Sequence, residues 1–149
     1  MSDEFEHDLS KARDDTSQAR QGLLSVLADL KDEDLDKVRR GGWSVRKVLE
    51  HAIHSEVLYS RLARHLRELP QPEDEEITVP PPTVADAISA LENSRKALEE
   101  AVDGVDEETF YNLRVVGHEE YSVLSLLENV ALHDREHAPQ IQDIVASQA

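Results

Sequence analysis

Cysteine is absent from this chain of 149 residues, which excludes disulfides, thiolate metal ligands and a cysteine nucleophile supplied by the protein. Basic residues are scarce as well. Lys and Arg number 16 against 32 Asp and Glu, a net charge of −16. A surface of that sign repels phosphate backbones and anionic lipid, so neither nucleic acid nor a membrane is expected as a partner. No apolar run approaches the length that crosses a bilayer. The acidic opening MSDEFEHDLSK lacks the basic-then-apolar layout of a leader. The expectation is a cytoplasmic protein with one domain over residues 1–149. High acidity can accompany disorder, but 39% hydrophobic residues in periodic runs point to a packed core.

Glycine and proline are also few, five and six, and they cluster. Between the clusters the apolar period is helical. A first helix is expected from about Glu4 to Leu30, with Phe5, Leu9, Ala12, Ala19, Leu23, Leu27 and Leu30 on one stripe. KDEDLDKVRRGG then makes a polar connection. The second helix starts at Ser44, an N-cap with Trp43 and Val48 placed as a hydrophobic staple, and continues to about Glu68. LPQPEDEEITVPPP is too rich in proline to be helical throughout, and its charge run PEDEE reads as solvated. Thr83 and Asp86 open a third helix in a capping-box pattern, reaching about Val102. After DGVDEETFYNLRVVGHEEY, in which YNLRVVG could form a short extended piece, Ser122 caps the fourth. WSVRKVLE and YSVLSLLE echo one another, which repeated capping explains. Four such helices imply an all-α four-helix bundle with long connections between helices 2 and 3 and between 3 and 4. A crossover topology stays open.

Facing at about 100° per residue selects the polar residues of interest. On the fourth helix Val123, Leu126, Val130, Ile141 and Ile144 define the buried arc, and His133 and His137 fall inside it. On the second, Val48, Leu58, Tyr59, Leu62 and Leu66 define the arc; His51 falls inside, with His54 and His65 at its edge. His7 and His118 lie near a terminus and in a connection. An unpartnered buried imidazole costs roughly 1–3 kcal/mol. Three rings facing one interior satisfy each other poorly, because each neutral ring has one donor and one acceptor. A divalent metal would take one nitrogen from each, leave the other for an outer partner, and keep positions open for water or substrate. The alternative is an HxxxH pair at the surface or singly hydrogen-bonded, since that spacing alone is weak evidence.

Two charged residues also face inward. Arg95 is central in the arc of Val84, Ile88, Leu91, Leu98 and Val102, and Asp134 lies between the paired histidines. Either Arg95 forms an internal pair with Glu56 or Asp134, or it lines a pocket and binds the carboxylate of a substrate or cofactor. Pro139 frees the carbonyl of Arg135 within the helix, and Gln140 is placed at the site edge to orient a bound water. There is no glycine-rich phosphate loop, RRGGW being a linker, and Ser44 and Ser122 serve as caps rather than nucleophiles.

GGWSVRKVLEHAIHSE at 41–56 and LLENVALHDREHAPQI at 126–141 resemble the two motifs of the DinB-like (YfiT-related) superfamily of metal-binding four-helix bundles. Helix number and chain length match over nearly the whole sequence. The resemblance implies that His51, His133 and His137 are the metal ligands, the three that facing also selects. It further implies zinc or nickel as the ion and a homodimer as the assembly. Members with an assigned activity include bacillithiol-dependent S-transferases and mycothiol-dependent maleylpyruvate isomerases. In that chemistry the metal lowers the pKa of a low-molecular-weight thiol. Three functions are therefore in contention. One is a metal-dependent transferase that activates a cofactor thiol or water for a small-molecule substrate. The others are a non-catalytic metal-binding protein and a stress-associated interaction module with vestigial histidines.

Overall fold

Each long helix begins at a residue whose side chain accepts a backbone N–H three positions on. In the computed structural model, which describes residues 2–73 and 78–147, Ser2, Ser44, Thr83 and Ser122 play this part. They open α1 (Asp3–Ala28), α2 (Val45–Leu66), α3 (Val84–Val102) and, after a short α4 (Glu107–Tyr111), α5 (Val123–Ala146). Such caps satisfy orphan donors of the first turn, each worth about 1 kcal/mol. At Ser122 the cap is reciprocal, because Ser125 Oγ accepts from the Ser122 N–H at 2.9 Å. The sequence echo around Ser44 and Ser122 is thus an echo of capping. Pro139 lies inside α5, which continues through it.

The connections carry structure of their own. A 3-10 turn at Asp32–Asp36 drives Leu35 fully into the core. Asp32 there accepts the Val84 N–H at 2.9 Å, adding a second cap to α3. Between α3 and α5, Asp106 caps α4, whose Phe110 is fully buried. β1 (Arg114–Val116) then pairs antiparallel with β2 (Glu119–Tyr121), so the extended piece in YNLRVVG is one arm of a hairpin. Of the PEDEE run, residues 74–76 lie outside the described residues.

Two apolar clusters fill the ends of the bundle. Leu23, Leu27, Val48, Leu49, Leu91 and Ile141 belong to the first. Phe5, Ala63, Leu66, Leu98, Leu126 and Val130 belong to the second. The order of these residues sets the helix directions. α1 and α5 run from the second cluster to the first, while α2 and α3 run from the first to the second. The connection between α2 and α3 is therefore a crossover that returns along the bundle. α1 packs mainly on α5, and α2 on α3 and α5, whereas α1 and α3 meet sparsely. Full burial of each large apolar side chain stabilises by roughly 1.5–3 kcal/mol, so the two ends hold the fold.

One inner face departs from expectation. Leu58 is 48% exposed. The buried line of α2 instead passes through Leu49, Ala52, Ile53, Glu56, Ser60 and Ala63. Small and polar residues mark this face because α2 is packed on two sides, against α3 and α5. No helix among the described residues is long and apolar enough to cross a membrane.

Candidate metal centre

Between the two apolar ends the interior turns polar. His51 of α2 faces His133 and His137 of α5, helices that run in opposite directions. Ring centroids lie 6.4 Å apart for His51–His133, 5.5 Å for His51–His137 and 5.8 Å for His133–His137. One nitrogen from each ring falls within 4.8 Å of the others. The i, i+4 spacing of His133 and His137 stacks their rings on one side of α5, which makes this convergence a consequence of helical periodicity.

Hydrogen bonding gives the rings a direction. His137 Nδ1 lies 3.1 Å from Gln140 Oε1. An amide oxygen only accepts, so Nδ1 donates and the Nε2 lone pair is left free. That Nε2 is buried without a hydrogen-bond partner, as is His133 Nδ1. His51 Nε2 has only a long contact, 3.5 Å, to Ser55 Oγ. Gln140 thus supports a histidine, where the sequence had placed it beside a water. Trp43, expected to staple onto Val48, sets its ring edge-on to His51 at 5.2 Å, and Tyr59 meets His133 at 5.6 Å. Burial lowers the His51 pKa, and positive charge on His137, His54 and Lys47 adds to the effect. The neutral ring, the form that binds metal, is favoured. Burial raises the Tyr59 phenol, with Glu119 and Glu136 contributing.

These residues fit a divalent ion. Three ring nitrogens converge, two of the rings carry a buried unsatisfied nitrogen, and an outer hydrogen bond already orients one ring. His54 stands apart, with Nδ1 at 3.2 Å from Thr78 Oγ1. A cavity of about 10 Å³ adjoins His133 and His137, bordered also by Tyr59, Arg20, Glu56 and Asp134. That is room for about one water.

Beside the histidines lies a second polar cluster, which takes one charged residue from each long helix. Arg95 donates from Nε to Glu56 at 2.8 Å, from Nη2 to Asp134 at 3.0 Å and from Nη1 to the Thr16 carbonyl at 3.1 Å. Arg20 donates to Glu56 at 2.9 Å, to both oxygens of Asp134 at 3.0 and 3.3 Å, and to the Leu91 carbonyl at 3.0 Å. Ser94 completes Glu56 with a hydroxyl donor at 2.5 Å. All five side chains are buried. Burial pulls the Arg20 pKa downward, but Glu56 and Asp134 together outweigh it and the guanidinium stays firmly charged. The sequence pointed to Arg95 and to both of its carboxylates, and it missed Arg20. A signal was there, since Arg20 shares the α1 stripe of Thr16, Leu23 and Leu27.

Comparison with known proteins agrees with this architecture. The crystal structure described as "TT2238, a four-helix bundle protein" superposes with a TM-score of 0.68 at 23% identity, covering 90% of this chain and 98% of that one. At that identity the likeness speaks to the fold. No curated protein matches the sequence. The family model of the DinB superfamily matches residues 15–141, a stretch that contains all three histidines and the whole buried charge cluster. The chain belongs to the DinB superfamily.

Proposed function

We propose that this protein is a metal-dependent enzyme of transferase type, with His51, His133 and His137 holding a divalent ion such as zinc or nickel. One observation carries the proposal: a nitrogen from each of three histidines converges, and two of these rings carry a buried nitrogen without a hydrogen-bond partner. Leaving each unsatisfied costs roughly 1–3 kcal/mol, which a bound cation would recover. When bound, such an ion lowers the pKa of a thiol or water in an open coordination position. The chain has no cysteine, so a thiol would come from a low-molecular-weight cofactor and act on a small-molecule substrate.

The protein's own groups have separable parts in this scheme. Gln140 fixes the His137 tautomer. Trp43 and Tyr59 brace His51 and His133. Glu56 and Asp134 are each held by two guanidiniums, so both are engaged in the internal ion network. Arg95 serves as an internal strut. Its rival role, gripping the carboxylate of a cofactor, would be exercised from the groove it borders between α1 and α3. Assembly as a homodimer and residence in the cytoplasm complete the proposal.

A second reading has an observation in its favour. The cavity beside the histidines holds about one water, which suits a metal-binding protein that does no chemistry. Elemental analysis of untagged protein purified without chelators is the first test, and about one equivalent of metal, absent from His133→Ala, is expected. A thiol-transfer assay with and without the metal then separates the two readings. Wild-type protein that takes up no zinc or nickel on titration sinks both.

A further inference from the structure

We propose that the buried cluster of Arg20, Glu56, Arg95 and Asp134 is the positioning device of the histidine centre. The helices that carry the three histidines, α2 and α5, are the same two that carry Glu56 and Asp134. Each arginine comes from one of the other helices, and each bridges both carboxylates. So α2 and α5 are joined twice, once through a fork from α1 and once through a fork from α3. Asp134 directly follows His133, and Glu56 lies five residues beyond His51. Arg20, Glu56 and Asp134 border the same small cavity as His133 and His137.

The centre needs such a device because its geometry depends on register. A slip of one residue rotates a helix by about 100° and shifts it 1.5 Å, enough to carry His51 away from its partners. Apolar ends resist this weakly, since cores lose uniqueness of packing before they lose stability. Guanidinium donors point in fixed directions, so a bidentate pairing has a single satisfying arrangement. The cluster itself adds little net stability, because desolvation of buried ions offsets their attraction. What it confers is the setting of α2 against α5.

The proposal concerns ring placement and rests on the metal reading only for its zinc measurement. The decisive variant removes all four charges together, Arg20→Met, Glu56→Leu, Arg95→Met and Asp134→Leu. It is expected to keep its helicity and thermal midpoint by circular dichroism. In the metal-free protein, NOE contacts from the His51 ring to His133 and His137 should disappear, and zinc affinity should fall at least tenfold. A folded quadruple variant with native ring contacts and native zinc affinity overturns the proposal. Should that variant not fold, Arg20→Lys with Arg95→Lys decides. It keeps both charges and removes the forks, so the ring contacts should be lost and should return when both arginines are restored. Intact contacts in that pair overturn the proposal equally. If wild type binds no zinc yet the ring contacts vanish on removal of the cluster, the metal reading fails and the positioning role stands.

Discussion

Two polar clusters share the middle of this bundle, and they differ in what the protein supplies to each. In the charge cluster, every carboxylate oxygen has a donor, and each guanidinium reaches both carboxylates and a backbone carbonyl. In the histidine cluster two buried nitrogens have none. α2 and α5 contribute to both clusters, and the two unpartnered nitrogens are themselves buried, so access to water does not explain the contrast. A fold that satisfies four buried charges while leaving a buried nitrogen unpartnered on each of two imidazoles has left the second cluster for something else to complete. Polar residues inside a bundle are therefore not equivalent signs of function. The unsatisfied ones point to a ligand, and the satisfied ones point to architecture.

The largest expected effect breaks the satisfied cluster. Glu56→Ala leaves two guanidiniums facing one carboxylate and should cost about 3–5 kcal/mol in urea denaturation, the usual loss when one partner of a buried ion network is removed. Arg95→Leu should behave similarly if Arg95 is a strut. Unchanged stability with lost turnover, once a turnover is measured, would instead make it a cofactor anchor.

The histidine cluster should respond in the opposite way. His133→Ala removes a half-buried ring whose Nδ1 has no hydrogen-bond partner and which gives up an edge contact with Tyr59, so metal-free stability should change by no more than about 1 kcal/mol. With zinc at about a hundred times its dissociation constant, wild type should gain about 2.7 kcal/mol and the variant nothing. Melting curves with and without zinc measure both numbers. A variant that fails to fold would mean that the histidines stabilise the bundle themselves, and the contrast between the clusters would collapse.

A smaller effect sharpens the difference further. Gln140 donates nothing to the core and is exposed, yet its amide oxygen orients His137. Gln140→Ala should leave stability within about 0.5 kcal/mol. Zinc affinity should fall roughly tenfold or more, as for other outer partners of metal-binding histidines. Equal affinity in the variant would show that the His137 ring is held by packing alone.

The long helices made most of this arrangement legible in the sequence, and the short elements did not. Ser44, Thr83 and Ser122 announce their helices because a cap is a local chemical event. The inward facing of His51, His133, His137, Arg95 and Asp134 followed from a period that persists over many turns. Leu58 is a poor marker of the inner face because on α2 the small residues Ala52, Ser60 and Ala63 occupy it. Arg20 is poorly legible in the sequence, because a basic residue on a mostly polar helix reads as solvated until its partners on other helices are known. The five residues of α4 and the turn at Asp32–Asp36 are too short for a period to show. The crossover was not readable either, since helix direction depends on which apolar ends meet in space.

The smallest expected effect is on pH dependence, and it again divides the clusters. In the metal-free protein burial holds the His51 pKa below its usual 6.5. The unfolded chain then binds more protons than the folded one as the pH drops between the unfolded and folded values, so stability rises with pH across that window. His51's contribution is fully present above about 6.5 and is lost as the pH falls through its folded pKa. Urea midpoints measured between about pH 5 and 8 should therefore decline on the acid side, and His51→Ala should flatten the decline. Zinc should steepen it, because protons and metal compete for the same nitrogens. Arg20 of the charge cluster adds nothing in this range, since its guanidinium stays protonated far above it. A wild-type profile already flat through neutrality would place the His51 ring in water, and with it would go the case that this cluster waits for a ligand.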